Sequence, residues 1–294
     1  MNDSISDAFT TILHYLSRTN IFYYIKFGED DNDEFINLLT SCIVRMECDQ
    51  IIAVEDVQKL MLEIKFPKIR YDFEQTYLLL MNHFMQNYEA SIECIYKHYF
   101  ITVSCSLNCD VCGFTKTTEK KQPFITLDTL TEKPMQEQIS KLFDCDILID
   151  CPICRNRTCM QKESVLHWPF HLLIVVKENK TVQSKDKEFN FSNFNFGKHS
   201  FSIQFVGKLS SNKTEEVYYG YSMYDDKIIY HNGARCYETN DLKINSEGIV
   251  FISYEIGKIG EEITYIPDLE DEEEEEDNNI EVPQDDEFYQ TFRK

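Results

Sequence analysis

Four cysteines in two pairs are the residues best placed to do chemistry. Cys109-Asp110-Val111-Cys112-Gly113 forms one hook and Cys151-Pro152-Ile153-Cys154 the other, with thirty-eight residues between Cys112 and Cys151. A CxxC turn brings two thiolates within reach of one small ion. Gly113, just past the second sulfur, lets the backbone turn back toward it. Two such hooks supply the four sulfurs of a closed tetrahedral Zn²⁺ site, so the spacing predicts one structural zinc held by Cys109, Cys112, Cys151 and Cys154. Four protein ligands leave no position for a reactive water. The competing reading is two buried or redox-active thiol pairs. Cys105 stands four residues ahead of Cys109 as a C-x₃-C pair, but the Gly-Phe after Cys112 fits the hook form better. Cys145 and Cys159 read as spare thiols. Cys42, Cys48 and Cys94 fall on or near apolar helix faces and read as core.

The elements that carry these hooks change character along the chain. Residues 6–27, 34–48, 54–62 and 72–88 show helical spacing, as in Phe9, Ile12, Leu13 and Leu16. From Tyr99-Phe100-Ile101-Thr102-Val103 the pattern becomes β-branched and aromatic. Strands are expected at 99–105, 124–128, 164–169, 172–176, 202–205, 217–224, 227–230 and 249–254, with one short helix at 135–142. Phe189 to Phe196 reads as a strand edge or a packed loop. Asp225-Asp226 reads as a hairpin turn. The order of helices then strands gives an α+β fold.

The chain has 294 residues, 43% of them hydrophobic, and a net charge of −22. Residues 265–294 hold thirteen acids and two bases and so contribute −11, which leaves −11 on the body. An acidic body repels phosphate backbones, so the expected partner is a protein and not nucleic acid. No apolar run is long enough for a bilayer. Eleven cysteines without a secretory pattern place the expected compartment in the cytosol or nucleus. Nine of the ten residues 268–277 are acidic. The expected division is one body over 1–264 (helical over 1–100, strand-rich with the hooks over 101–264) and an acidic disordered tail over 265–294.

In their order along the chain, these features resemble the ubiquitin-specific protease family. A helical half leads into a strand, a CxxC, about forty residues, a second CxxC, a core strand after a proline and a late hairpin. Leu13-His14-Tyr15-Leu16 resembles the helix that carries the family nucleophile at its start. Asp72 to Leu80 resembles its acid- and Gln-rich helix. Trp168-Pro169-Phe170-His171-Leu172 resembles the segment after its second hook. The resemblance covers roughly residues 4–256. It implies a papain-like fold with a helical thumb, a β-rich palm and zinc-ribbon fingers, and ubiquitin or a ubiquitin-like protein as partner.

The family's catalytic residues do not carry over. Placing Leu13-His14 on the family's Leu-Gln sets Asp7 at the nucleophile position, and a carboxylate is a poor nucleophile for an amide because its acyl product is a labile anhydride. Tyr218, in Val217-Tyr218-Tyr219-Gly220-Tyr221, stands at the histidine position. Asn232, before Gly233, stands at the third position. His231 beside it reads as a surface or strand-edge histidine rather than a displaced base, and strand alternation turns the two to opposite faces. Three readings follow. The first is an inactive protease-like module that binds protein through a zinc-stiffened body. The second is an active, divergent cysteine-type deubiquitinase. The third is an unrelated zinc-ribbon interaction protein of nuclear machinery.

Overall fold

The computed structural model describes residues 3–19, 33–48, 50, 52–65, 72–131, 133–143, 146–177, 193–211, 216–224, 227–232, 235–239 and 248–258. The acidic tail, Cys145, the turn at 225–226 and the boundary at 264 lie outside the described residues. The first layer holds five helices: α1 (Asp3–Thr19), α2 (Glu34–Glu47), α3 (Val54–Glu63), α4 (Phe73–Asn87) and α5 (Ile92–Tyr99). Asp33 caps α2 by accepting from the Ile36 N–H at 3.0 Å, and Asp72 caps α4 by accepting from Gln75 at 2.8 Å. Each carboxylate satisfies an orphan donor of the first turn. The Tyr88 hydroxyl donates to the other oxygen of Asp33, which ties the end of α4 to the start of α2.

Helix α1 is central. From Ala8 to Thr19 every residue except Arg18 is buried. It lies against α2, α3 and α4 on one side and against the strands β8, β9 and β10 (defined below) on the other. A helix covered all round has no water for its polar groups. Its hydroxyls turn inward on its own backbone: Ser17 donates to the His14 carbonyl at 2.8 Å and Thr19 to that of Leu16 at 2.9 Å. Tyr99 at the end of α5 donates to Thr19 Oγ1 at 2.7 Å, which fastens the two helices.

Two sheets follow. β1 (Ile101–Cys109), β2 (Thr115–Gln122), β4 (Ile147–Ile149) and β5 (Cys159–His167) form a four-stranded antiparallel sheet in the order β2-β1-β5-β4. The larger sheet has the order β11-β10-β9-β8-β12-β6-β3. Its strands are β3 (Ile125–Leu127), β6 (His171–Val176), β8 (His199–Ser211), β9 (Glu216–Tyr224), β10 (Lys227–Asn232), β11 (Arg235–Thr239) and β12 (Ile249–Lys258), and the short β7 (Phe194–Phe196) pairs with β8. The β3–β6 pair is parallel. Helix α6 (Met135–Phe143) packs on the far face.

The large sheet separates two cores. Leu173 and Val175 of β6 face the helices, while Leu172, Ile174 and Val176 face the core with α6. The continuous apolar run of that strand is thus buried on both faces. β1 and β5 leave this body and carry the hooks at their far ends. Nine extended residues of β1 span roughly 30 Å.

Most expected elements are present, with shifted bounds. The strand expected from 99 begins at Ile101, because Ile92–Tyr99 forms a helix that was not assigned from the sequence. β8 runs from His199 to Ser211, well past the expected 202–205. β2 carries Thr-Lys-Thr-Thr-Glu-Lys-Lys-Gln, has no apolar residue, and gives no strand signal in the sequence.

The seam between α1 and the sheet is filled by rings. Phe251 stacks on Phe205 with centroids 5.5 Å apart and on Phe73 at 3.8 Å, and Tyr15 meets it edge-on at 5.9 Å. Gly207 leaves the room for it: an ideal Cβ there would lie 1.8 Å from Phe251 Cε1. Gly207→Ala is expected to cost about 1–3 kcal/mol through overpacking. A lowered urea midpoint with an unchanged slope is the measurement that checks it.

Candidate functional site

The two hooks fold alike. In each, the carbonyl of the first cysteine accepts from the residue four on: Gly113 N–H to Cys109 at 3.0 Å, Arg155 N–H to Cys151 at 2.9 Å. In each, the first cysteine's N–H donates to the carbonyl five on, that of Phe114 or Asn156, both at 2.9 Å. The residue four on is left-handed in both hooks, Gly113 at φ 69° and Arg155 at φ 60°. Glycine holds this at no steric cost. Arginine holds it because the paired hydrogen bonds allow nothing else.

The four sulfurs come together. All four Sγ atoms lie within 4.8 Å of one another. Cys109–Cys154 is 3.7 Å and Cys112–Cys151 is 3.6 Å. A tetrahedron with bonds of about 2.3 Å has edges near 3.8 Å, whereas a disulfide needs about 2.05 Å. The spacing therefore fits one metal ion, consistent with zinc, and not two bridges. The Thr158 hydroxyl, 3.5 Å from Cys109 Sγ, and the N–H groups of Cys112 and Val111 favour thiolate and hold Cys109 at about 6. Cys109 and Cys151 are buried, Cys154 is half-buried and Cys112 is exposed. Cys159 is buried against Cys109 and Cys151 but stands outside the ligand set, as does Cys105.

The three positions that the resemblance sets at the family's catalytic places lie on α1, β9 and β10. Asp7 belongs to the second turn of α1, and its side chain lies outside the described residues. Tyr218 on β9 is buried in the core that faces the helices. Asn232 ends β10 and is exposed. α1 packs directly on β9 and β10, so the elements that bear all three are neighbours.

His231 corrects the sequence reading. It is 1% exposed, not a surface or edge histidine. Its ring lies 4.4 Å from that of His14 on α1 and stacks on Phe205 at 5.6 Å. Its register partner on β9 is Gly220, which presents no side chain to compete for the space. Ser222 Oγ lies 2.8 Å from His231 Nε2. This is the spacing of a nucleophile and its base, but Ser222 is 0% exposed and no substrate reaches it. Across the next pairing, Cys236 of β11 stands opposite His231, with its side chain outside the described residues. Cys42 is buried in α2 with its thiol pushed up to about 11 by burial and the charge of Asp56, which makes it inert at neutral pH.

A second imidazole pair sits at the same seam. His98 on α5 and His171 on β6 lie 6.4 Å apart, sandwiched with Phe170 and Tyr99. Burial holds His98 at about 3, with the charges of His171 and Lys97 adding to it, and burial holds His171 at about 4. Burial also holds His231 far below the ordinary range, helped by His14 and Arg18. Neither pair is legible in the sequence, because its members stand far apart along the chain and meet only in the fold.

No protein-family model matches this sequence, and no curated protein matches it. Among solved structures, the fold matches a chain of the SAGA DUB module Ubp8/Sgf11/Sus1/Sgf73 bound to monoubiquitin. The TM-score is 0.61 at 12% identity, over 88% of this chain and 68% of that one. The fold is ubiquitin-specific-protease-like. At that identity the match speaks for the fold alone. The α+β order and the four-cysteine cluster agree with it. No helix among the described residues is long and apolar enough to cross a membrane.

Two outcomes follow. Cys109→Ser with Cys151→Ser is expected to lower bound zinc from about one per chain to none and to destabilise the strand half, because structural zinc carries folding free energy. Metal analysis of the purified protein beside the variant checks this, and a metal-free wild type refutes it. The imidazoles give a pH dependence. Unfolded histidines take up protons near 6.5, whereas His98 and His171 take them only near 3 and 4 when folded. Stability is therefore full above about 6.5 and falls as pH drops toward 4, by up to roughly 1.4 kcal/mol per pH unit for each imidazole. Denaturation at stepped pH measures the slope. A shallower slope in His171→Phe assigns it to the imidazole and not to loss of metal.

Proposed function

We propose that this chain is a catalytically silent ubiquitin-specific-protease-like module. It binds ubiquitin, a ubiquitin-like protein or a complex partner, and one structural zinc held by Cys109, Cys112, Cys151 and Cys154 stiffens its fingers. The reading is supported by one observation: α1, β9 and β10 are neighbours, and they carry Asp7, Tyr218 and Asn232, the residues that the resemblance sets at the family's three catalytic positions. None of the three supplies a thiolate or an imidazole. Loss at Asp7 and Tyr218, on elements far apart in sequence, is harder to attribute to a shifted alignment than one loss would be. Tyr218 also fills the core space that a catalytic histidine would have to leave open to a cleft.

The architecture itself supports binding. A fold built to hold one protein in a cleft between helices and sheet keeps that surface when the chemistry goes. The acidic charge of the body favours basic partner surfaces and disfavours nucleic acid. The neighbouring structure was solved with monoubiquitin and three further subunits, which makes ubiquitin and a multi-subunit complex the first partners to try. A cytosolic or nuclear location goes with that reading.

The divergent-enzyme reading draws on His231, with Ser222 at 2.8 Å and Cys236 in register. Against it stands the burial of His231 and Ser222, which leaves no path for an isopeptide bond.

The test is a calorimetric titration of the zinc-loaded chain with ubiquitin, run beside incubation with a ubiquitin C-terminal electrophile. Saturable binding, with Kd of about 1–100 μM, and no covalent adduct are the expected results. An adduct at any cysteine, or cleavage of a ubiquitin chain, overturns the silent reading; absence of binding overturns the ubiquitin assignment.

A further inference from the structure

The four-stranded sheet ends in two edges of opposite character. β2 carries Lys116, Lys120 and Lys121 and is exposed along nearly all its length. Lysines on an edge strand discourage pairing with other chains. β4 has no such guard. Its three residues are Ile147, Leu148 and Ile149, and the first two are 51% and 54% exposed. Successive side chains point to opposite faces, so Ile147 and Leu148 leave both faces open at this end, while Ile149 packs partly against the cysteine cluster.

β4 is paired on one side only. Ile147, Leu148 and Ile149 oppose Gln161, Met160 and Cys159 of β5. On its other side, no described strand meets its backbone groups. Leu148 lies across from Met160, which is itself exposed, and two residues past β4 the chain enters the second hook, whose Ile153 is 66% exposed. The candidate metal centre fixes Cys151 just beyond Ile149, so the edge is short and held at one end.

We propose that β4 is a docking edge for an extended segment of a partner protein, apolar at its centre and basic at both ends. The segment adds a fifth strand to the sheet and lays alternate apolar side chains over Leu148 and Met160. Its charge is set by Asp146 and Asp150, which bracket the strand and are both exposed. The same two acids argue against a second copy. Antiparallel self-pairing centred on Leu148 sets Asp146 against Asp150 at each end, and like charges directly opposite destabilise a pair. A second copy's β2 brings lysines but no apolar side chain. Arg155 and Arg157 lie beyond the second sulfur of the hook and off the strand.

The experiment uses the full zinc-loaded chain and a fluorescein-labelled peptide, Lys-Lys-Val-Thr-Val-Thr-Val-Lys-Lys, read by polarisation. Saturable binding is expected, at least about tenfold tighter than for the same peptide with Glu at the four flanking positions. Leu148→Lys is expected to weaken it about tenfold or more, with zinc content and far-UV dichroism unchanged, since Leu148 is exposed. Asp146→Lys with Asp150→Lys is expected to reverse the preference between the two peptides. Amide exchange at Ile147–Ile149 should slow on binding. Absence of saturable binding, equal affinity for both peptides, or indifference to Leu148→Lys overturns the proposal. So does dimerisation abolished by Leu148→Lys, which would make a second copy the occupant, and so does displacement of the peptide by ubiquitin, which would make the edge part of the ubiquitin site.

Discussion

From Ala8 to Thr19 helix α1 is buried at every position but Arg18, and the rest of the body is arranged around that constraint. Helices α2, α3 and α4 cover one side and the large sheet covers the other. Each polar side chain on such a helix has to find its partner within the protein. Ser17 and Thr19 bond to the helix's own carbonyls, Thr19 accepts from Tyr99, and His14 lies against His231. The aromatic packing of Tyr15, Phe73, Phe205 and Phe251 then closes the seam.

Imidazoles lie against the helix-facing side of the large sheet, and their burial decides what chemistry is available there. A thiolate nucleophile needs an electropositive, partly exposed site with a base that changes protonation near neutral pH. His231, His98 and His171 are buried, and burial holds each of them neutral at ordinary pH. The same low-dielectric packing that stabilises the junction removes the conditions for proton transfer. At the far end of β1 and β5 few side chains are buried, and the four clustered sulfurs could hold an ion in place of a core.

Much of this was legible in the sequence, and the unread parts have physical causes. The hooks were legible because four ligands at CxxC spacing are a local pattern that needs no tertiary information. α2 and α4 were legible because their apolar residues recur at helical spacing, although the caps Asp33 and Asp72 were not read as such. β6 was legible because a strand buried on both faces is an unbroken apolar run. β2 was not, because it is held by backbone pairing to β1 while its side chains face water. The break at Tyr99 was misplaced because aromatic residues end α5 and begin β1 without a change in composition. The burial of His231 was not legible because it depends on Gly220, Phe205 and His14 meeting in space. The fate of Asp7, Tyr218 and Asn232 could be placed on elements, but only their order along the chain pointed to them.

The unequal exposure of the four sulfurs has a kinetic consequence. Cys109 and Cys151 are shielded, while Cys112 stands open to solvent and Cys154 is partly open. Metal exchange proceeds one ligand at a time, so a chelator or an incoming ion must begin at Cys112. For an ion held by all four sulfurs, the first hook would open from its second sulfur, and capture and loss would share that one doorway.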